Sequence, residues 1–112
     1  MKELQVSIPG SDKWNCLAAE KLQDRMRGLL GRIGLKHGTT MLLAPCSSVH
    51  TFGMKFAIDV IFLDKDNRII KVARNVPKNR IVYGGIRAKK VLEAESGWLP
   101  DLPLGIKVAG LQ

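Results

Sequence analysis

Aromatic residues and cysteines are both scarce in this sequence. Aromatic side chains make up 5% of the 112 residues, and the only cysteines are Cys16 and Cys46. The chain therefore offers little aromatic surface for stacking nucleic-acid bases. No CxxC pair occurs. In a reducing cytoplasm we expect both thiols to stay reduced, whereas a disulfide would require an exported chain.

Long apolar runs are missing as well. No stretch approaches the roughly 18 consecutive apolar residues of a membrane-spanning helix. Met1 is followed by Lys2, Glu3 and an alternating pattern, where a secretory signal would need an apolar segment and a small-residue cleavage site. We therefore expect the chain as given to be cytoplasmic. An exported protein from which a leader had been trimmed would have the same sequence.

Acidic residues are almost absent between Lys65 and Lys90. This stretch contains nine basic residues and one acid, Asp66, whereas the rest of the chain has nine of each, so the stretch carries the whole formal net charge of +8. A concentration of positive charge can attract phosphates. The candidate anion-binding residues are Arg68, Lys71, Arg74, Lys78, Arg80, Lys89 and Lys90.

Nucleic acid is a weak candidate ligand for this basic segment. A single-strand binder usually adds several stacking aromatics to its cations, and Tyr83 is the only aromatic residue in the segment. We expect any binding to be weak and non-specific. The alternative is a solvated basic face without a ligand.

Alternating and apolar runs, separated by Gly, Pro and Asn-rich turns, predict a chain of short strands. One helix is predicted from Glu20 to Arg32, with Leu22, Met26, Leu29 and Leu30 on one face. The expected fold is α+β and mostly β: a single domain, residues 1–112, built as a small rolled antiparallel sheet or barrel of about six to eight short strands. The predicted strands are Glu3–Ile8, Trp14–Ala19, Thr39–Ala44, Phe56–Leu63, Arg68–Arg74, Ile81–Tyr83, Ala88–Glu95 and Ile106–Leu111.

The strand from Phe56 to Leu63 is the strongest in the pattern. It is apolar on both faces, which predicts a central strand covered on both sides. Asp59 lies within it, and Glu93 is a second acid in a predicted strand. A buried carboxyl group needs hydrogen-bond partners or a proton. We expect the polar loop around His50 and Thr51 to supply the partners of Asp59.

The stretch before this strand, CSSVHTFGM from Cys46 to Met54, combines side chains that bind metals or attack carbonyls. A thiol, an imidazole and a thioether form a soft but incomplete ligand set, so we expect no metal and no cofactor. His50 with Asp59 or Cys46 supplies the residue types of an acid/base or nucleophilic site, but residue types alone do not establish one.

Several segments of the chain form one pattern that spans about Cys16 to Gly110. They are Arg27–Gly31, Met41-Leu42, His50–Met54, Asp59–Asp64, and Val91–Glu93 with Gly97. In these segments the chain resembles the family catalogued as domain of unknown function 192. The resemblance implies a compact β-rich domain found in small prokaryotic proteins, many of them exported, and it implies no reaction.

The sequence favours a small β-rich binding or accessory module of unknown function rather than an enzyme. Its candidate pocket lies where the His50–Met54 loop meets the start of the central strand, with a protein or a small molecule as the partner. The alternatives are a small enzyme using His50, and a weak polyanion binder using the basic segment. The candidate binding residues of the pocket are His50, Thr51, Met54, Asp59 and Glu93.

Overall fold

The computed structural model describes residues 1–19, 21, 24, 28–29 and 31–111, and these residues form eight strands. Most of the strands coincide with alternating or apolar runs of the sequence. Their bounds are β1 Lys2–Val6, β2 Trp14–Ala19, β3 Thr39–Leu43, β4 Ser48–His50, β5 Ile58–Leu63, β6 Ile69–Val76, β7 Ile81–Tyr83 and β8 Lys90–Glu95.

Six strands form one sheet in the order β1-β2-β3-β8-β5-β6, and β4 and β7 form a separate two-stranded sheet. All pairs are antiparallel except β2 and β3, which are parallel. A parallel pair requires a crossover, and the chain between residues 20 and 38 makes it.

The large sheet is covered on both faces, as the apolar pattern of β5 predicted. Every residue of β5 is buried. Ile61 and Leu63 belong to one core cluster, while Ile58, Val60 and Phe62 belong to the cluster on the other face. We call these the first and the second core cluster. Because successive side chains of a strand alternate between faces, β5 contributes to both clusters at once.

The predicted α+β fold with a rolled sheet or barrel is wrong, because the sheet is open. Its edge strands, β1 and β6, do not pair with each other. The stretch predicted as a last strand, Ile106–Leu111, lies between them but forms only isolated bridges, to Ser7 on one side and to Arg68 on the other. One residue pair on each side cannot continue a ladder, so the barrel does not close.

The helix predicted from Glu20 to Arg32 is not among the elements of the described structure. Residues 20, 22–23, 25–27 and 30 of the Glu20–Arg32 stretch lie outside the described residues, and the described ones define no helix. Gly28 and Leu29 lie in a turn. Within the described part of the chain, no helix is long and apolar enough to span a membrane.

Candidate functional site

The His50–Met54 segment is a strand end followed by a tight turn. His50 ends β4, and the N–H of Met54 donates to the carbonyl oxygen of Thr51 at 3.1 Å. Gly53 has a φ of 78°, the conformation that favours glycine at the third position of such a turn. The turn places Phe52 outward, where 47% of its surface is exposed.

The pairing of β4 with β7 gives this region two different faces. Ser48 is opposite Tyr83, and His50 is opposite Ile81. Residues directly opposite each other in an antiparallel pair lie on the same face, so these four side chains form one surface. All four are exposed. We call this surface, together with Phe52, the outer face; Val49 and Val82 point the other way, into the second core cluster.

The outer face is apolar and partly aromatic. Ile81 is 69% exposed and Tyr83 is 52% exposed. The His50 and Phe52 rings lie 5.7 Å apart at an interplanar angle of 32°. Tyr83 is the only aromatic residue of the basic segment, but the pairing of β4 with β7 brings His50 and Phe52 to the same surface.

Thr51 and Met54 have a different position from His50, because both are buried. The Thr51 hydroxyl donates to the carbonyl oxygen of Pro77 at 2.7 Å and accepts the N–H of Arg80 at 2.8 Å. Met54 belongs to the second core cluster. Among the described residues, no group of three or more His, Cys, Asp or Glu is arranged to hold a metal ion.

Asp59 is buried, at 3% exposed, and its partners come from β6 and from the end of β8. The backbone N–H of Asn75 donates to Oδ1 at 2.7 Å, and the Ser96 hydroxyl donates to the same oxygen at 2.8 Å. Arg74 lies 3.4 Å from Oδ2. These are not the His50 and Thr51 partners expected from the sequence; within the described chain, no hydrogen bond joins Asp59 to His50.

The predicted combination of His50 with Asp59 or Cys46 is therefore not assembled as a hydrogen-bonded site. His50 lies on the exposed outer face, whereas Asp59 is tied to Arg74. The Cys46 thiol is directed to the carbonyl oxygen of Ser48 at 3.2 Å. Neither group orients the His50 ring as a general base requires.

Glu93 occupies the opposite face of the sheet from Asp59. It pairs with Val60, while Asp59 pairs with Ala94, so the two acids alternate between faces and do not form a pair. Glu93 is 3% exposed, and within the described structure its Oε1 has no hydrogen-bond partner. Burial raises the pKa of this carboxyl group to about 7.

The candidate anion-binding residues do not form one surface. Lys71 extends over the Phe62 ring and donates to the carbonyl oxygen of Tyr83 at 2.7 Å. Arg74 lies on the other face of β6, where it also donates to the carbonyl oxygen of Leu99 at 3.2 Å. The Lys90 ammonium donates to Asn67 at 2.6 Å and is half-buried.

Lys78 and Arg80 lie in the loop that leads into β7, at the Ile81 end of the outer face. Both are exposed, and Lys89 is exposed near the start of β8. Lys71, through its contact with Tyr83, lies at the opposite end of β7. Cations are therefore found at both ends of the outer face.

A separate cleft of about 430 Å³ lies where β6 begins. Its polar lining residues are Asp64, Arg68 and Arg87. Arg68 was among the predicted anion-binding residues, whereas Asp64 and Arg87 belonged to no predicted site. Asp64 and Arg87 come from the two turns that β5 and β7 lead into. Their spacing in sequence gives no signal that they meet; only the Gly84-Gly85 pair marks a turn at that point.

The described residues define an all-β protein with an open six-stranded sheet and a small second sheet packed on one of its faces. The sequence model of the DUF192 family, described as an uncharacterized ACR, matches residues 5–108. The chain belongs to this family, which confirms the resemblance found in the sequence. The function of the family is unknown.

Two solved structures are similar to this fold. A protein of unknown function from Novosphingobium aromaticivorans DSM 12444 has a TM-score of 0.76 and 20% identity, over 95% of this chain and 82% of that chain. A protein from Sinorhizobium meliloti 1021, described as a candidate transcription regulator, has a TM-score of 0.79 and 16% identity, over 96% of this chain and 92% of that one. At these identities the similarity shows the fold alone. A search of the curated proteins found no match.

Proposed function

We propose that this protein is a non-catalytic binding module whose outer face holds single-stranded nucleic acid with little sequence preference. The observation that carries the proposal is the combination of exposed Phe52 and Tyr83 with cations at both ends of the same surface. Proteins that bind single strands combine aromatic platforms with a basic track along the backbone.

Charge supports an anionic ligand at this surface. The two stretches that build it, residues 37–58 and 67–92, contain no Asp or Glu. Lys71, Lys78 and Arg80 thus act without acidic neighbours from either stretch. A phosphate backbone that crosses the face would meet only positive side chains from these segments.

The dimensions of the face also agree with stacked bases. Alternate residues of a strand are about 7 Å apart, so Ile81 and Tyr83 are separated by roughly that distance. Aromatic side chains on the surface of a sheet stack two or three bases in some RNA-binding domains. In the proposed site, Phe52 and Tyr83 are the stacking residues.

An enzymatic role for His50 has less support. Its ring lies against Phe52, and among the described residues no hydrogen bond joins it to a carboxyl group that would orient it. In the proposed binding site, His50 adds a third flat ring to the surface.

The test is fluorescence anisotropy of a labelled single-stranded oligonucleotide at low and moderate salt. Phe52→Ala and Tyr83→Ala should each weaken binding by roughly 5- to 150-fold, the loss of about 1–3 kcal/mol per stacked base. Ile33→Ala is the matched control, since Ile33 is 87% exposed and lies outside the outer face. Melting temperatures should change little in all three variants.

The charge contribution is tested by Arg80→Gln, with Lys13→Gln as its control. Arg80→Gln should reduce the slope of affinity against salt, because one phosphate contact is lost, and Lys13→Gln should not. Oligonucleotide binding that is unaffected by either aromatic substitution would contradict the proposal. Equal competition by polyglutamate would do the same, because it would indicate an acidic protein partner held without stacking.

A further inference from the structure

We propose that the cleft at the start of β6 binds a carboxylate attached to a branched apolar group. Such a group occurs in a free carboxylic acid and at the C-terminus of a polypeptide that ends in an aliphatic residue. The site is separate from the outer face, so it extends the proposed function rather than depending on it. Three features of the lining support this inference: unpaired backbone donors, an excess of one positive charge, and exposed aliphatic side chains.

The backbone donors come from the turn between β7 and β8. The N–H of Ala88 donates to the carbonyl oxygen of Gly85 at 3.1 Å, which closes a turn. Among the described residues, the N–H groups of Gly85, Ile86 and Arg87 donate to no protein acceptor. All three residues line the cleft. Successive backbone N–H groups in a turn are a recurring binding site for anionic oxygens.

Gly84 allows this turn to lie close to the sheet. A Cβ at Gly84 would lie 2.2 Å from Cδ1 of Phe62 and 2.8 Å from the Ala88 Cβ. At Gly85 a Cβ would meet nothing within 4 Å, but φ is +99° there. Two different constraints therefore require the consecutive glycines, and together they place the backbone at the wall of the cleft.

The charges of the lining select a monoanion. Arg68 donates to the carbonyl oxygen of Gly105 at 2.9 Å, and Arg87 lies 3.9 Å from the Asp64 carboxylate. The backbone N–H of Arg68 donates to Asp64 and lowers its pKa, so this carboxylate is charged at neutral pH. The guanidinium groups of Arg68 and Arg87 and the carboxylate of Asp64 together have a net charge of +1. The carboxylate of a bound ligand would balance this charge. Arginine is also well shaped for a carboxylate, because its N–H groups can bond both oxygens.

The exposed aliphatic side chains of the cleft indicate the second feature of the ligand, its branched apolar group. Ile86 is 87% exposed and Leu104 is 67% exposed, and both line the cleft. Burying such side chains stabilises a complex by roughly 25 cal/mol per Å² of apolar surface removed from water. A branched aliphatic group beside the carboxylate would cover both. The volume of about 430 Å³ falls in the range of small-ligand pockets.

The experiment is a titration of the full chain followed by amide chemical shifts. The probes are N-acetyl-leucine, 4-methylpentanoate and N-acetyl-leucinamide. The first two share a carboxylate and a branched apolar group, but only N-acetyl-leucine has the amide of a polypeptide C-terminus; the third is uncharged. Both carboxylates should shift the Gly85, Ile86 and Arg87 amide signals, and the leucinamide should not. Tighter binding of N-acetyl-leucine would point to a polypeptide C-terminus, and tighter binding of 4-methylpentanoate to a free acid.

Substitutions inside and outside the cleft test whether the probes bind there. Arg87→Gln should weaken the carboxylate probes by about tenfold or more, through loss of a charge-assisted contact. Asp64→Asn should tighten them, because it removes the competing carboxylate. Arg80→Gln should leave them unchanged, although it is expected to affect oligonucleotide binding. Equal shifts with the neutral leucinamide, or an unchanged affinity in Arg87→Gln, would overturn the inference.

Discussion

Asp59 shows how a buried acid can complete a strand pair at a bulge. The register between β5 and β6 shifts between Ile58 and Val60, so Asp59 has no partner residue on β6. Asn75 has a φ of 53° in this irregular stretch, and its backbone N–H donates to the Asp59 side chain. The carboxyl group therefore accepts a hydrogen bond that a backbone carbonyl would otherwise accept.

We expect Asp59→Ala to lower the free energy of unfolding by about 1–3 kcal/mol, because it leaves the N–H of Asn75 and the hydroxyl of Ser96 without an acceptor. Chemical denaturation measures the loss. Asp12→Ala is the control, since Asp12 is exposed. Equal stability of the two variants would show that water replaces the missing acceptor.

Glu93 is a buried acid whose Oε1 has no hydrogen-bond partner among the described residues. Its neighbours across the sheet are Met41 and Val60, both apolar. The folded state therefore favours the neutral carboxyl group, and its pKa rises from 4.5 to about 7. Below pH 4.5 the group is protonated in both states. Between these values the unfolded chain loses the proton first, so stability falls as pH rises, and above about 7 the full cost of the buried charge remains.

We expect Glu93→Gln to remove this pH dependence. Relative to the variant, the wild-type chain should lose up to about 3 kcal/mol of stability between pH 4 and pH 8, since one pKa unit corresponds to about 1.4 kcal/mol. Denaturation curves across this range measure the difference. Glu3→Gln, at an exposed position, should run parallel to the wild type. If the stability of Glu93→Gln also changed with pH in parallel with the wild type, Glu93 would have a partner in solution.

At the scale of the elements, apolar periodicity predicted most strands but not β4. The run from Phe56 to Leu63 contains β5, because a strand covered on both faces leaves a continuous apolar signal. β4 has three residues, Ser48–His50, with a single buried side chain between two exposed ones. So short an alternation cannot be distinguished from a loop. The outer face depends on β4, so it could not be predicted either.

For the candidate site residues, the sequence predicted burial better than hydrogen-bond partners. His50 was predicted as a binding residue of a pocket at the start of the central strand, and the structure places it on the exposed outer face. Asp59 was predicted to be buried, and it is. The hydrogen-bond partners of Asp59 depend on the register of β6, including its irregular stretch near Asn75. A bulge changes the register by one residue, and local sequence carries little information about it.

Thr51 connects the two segments of the small sheet. It is fully buried, and its side chain and backbone together bond the loop from Pro77 to Arg80. The backbone N–H of Thr51 donates to the carbonyl oxygen of Arg80 at 2.8 Å. These bonds hold Lys78 and Arg80 beside the outer face, so a residue without contact to ligand positions the proposed binding cations.

We expect Thr51→Val to destabilise the protein by about 1–3 kcal/mol and to speed amide hydrogen exchange at Arg80, because the hydroxyl bonds to Pro77 and Arg80 are lost while the shape is kept. Thr51→Ser retains the hydroxyl and serves as the control. Exchange at Arg80 that is the same in both variants would contradict the connecting role of the side chain.

On the scale of the whole molecule, the C-terminal segment connects the two edges of the open sheet. Ala109 exchanges backbone hydrogen bonds with Ser7 at 3.1 and 2.8 Å. Nearer to β6, the N–H of Ile69 donates to the carbonyl oxygen of Ile106 at 2.9 Å. Val108, between these points, is 1% exposed and belongs to the first core cluster. The segment thus covers one end of the sheet without closing a barrel.

Gly110 determines how closely this segment approaches β1. A Cβ at Gly110 would lie 2.0 Å from the carbonyl oxygen of Gln5, and φ is +94°. Gly105 has a similar φ of +90°, but a Cβ there would meet nothing within 4 Å. The two glycines therefore have the same conformational requirement and differ in steric contact alone.

This difference gives a matched prediction. Gly105→Ala should cost about 1–2 kcal/mol, the strain of a left-handed alanine. Gly110→Ala should cost clearly more, because the clash is with backbone and the segment must move away from β1, which breaks the Ser7 pair and exposes Val108. Chemical denaturation of both variants measures the difference, and faster exchange of the Ser7 amide in Gly110→Ala would locate it. Equal losses in the two variants would show that the segment adjusts without releasing the edge of the sheet.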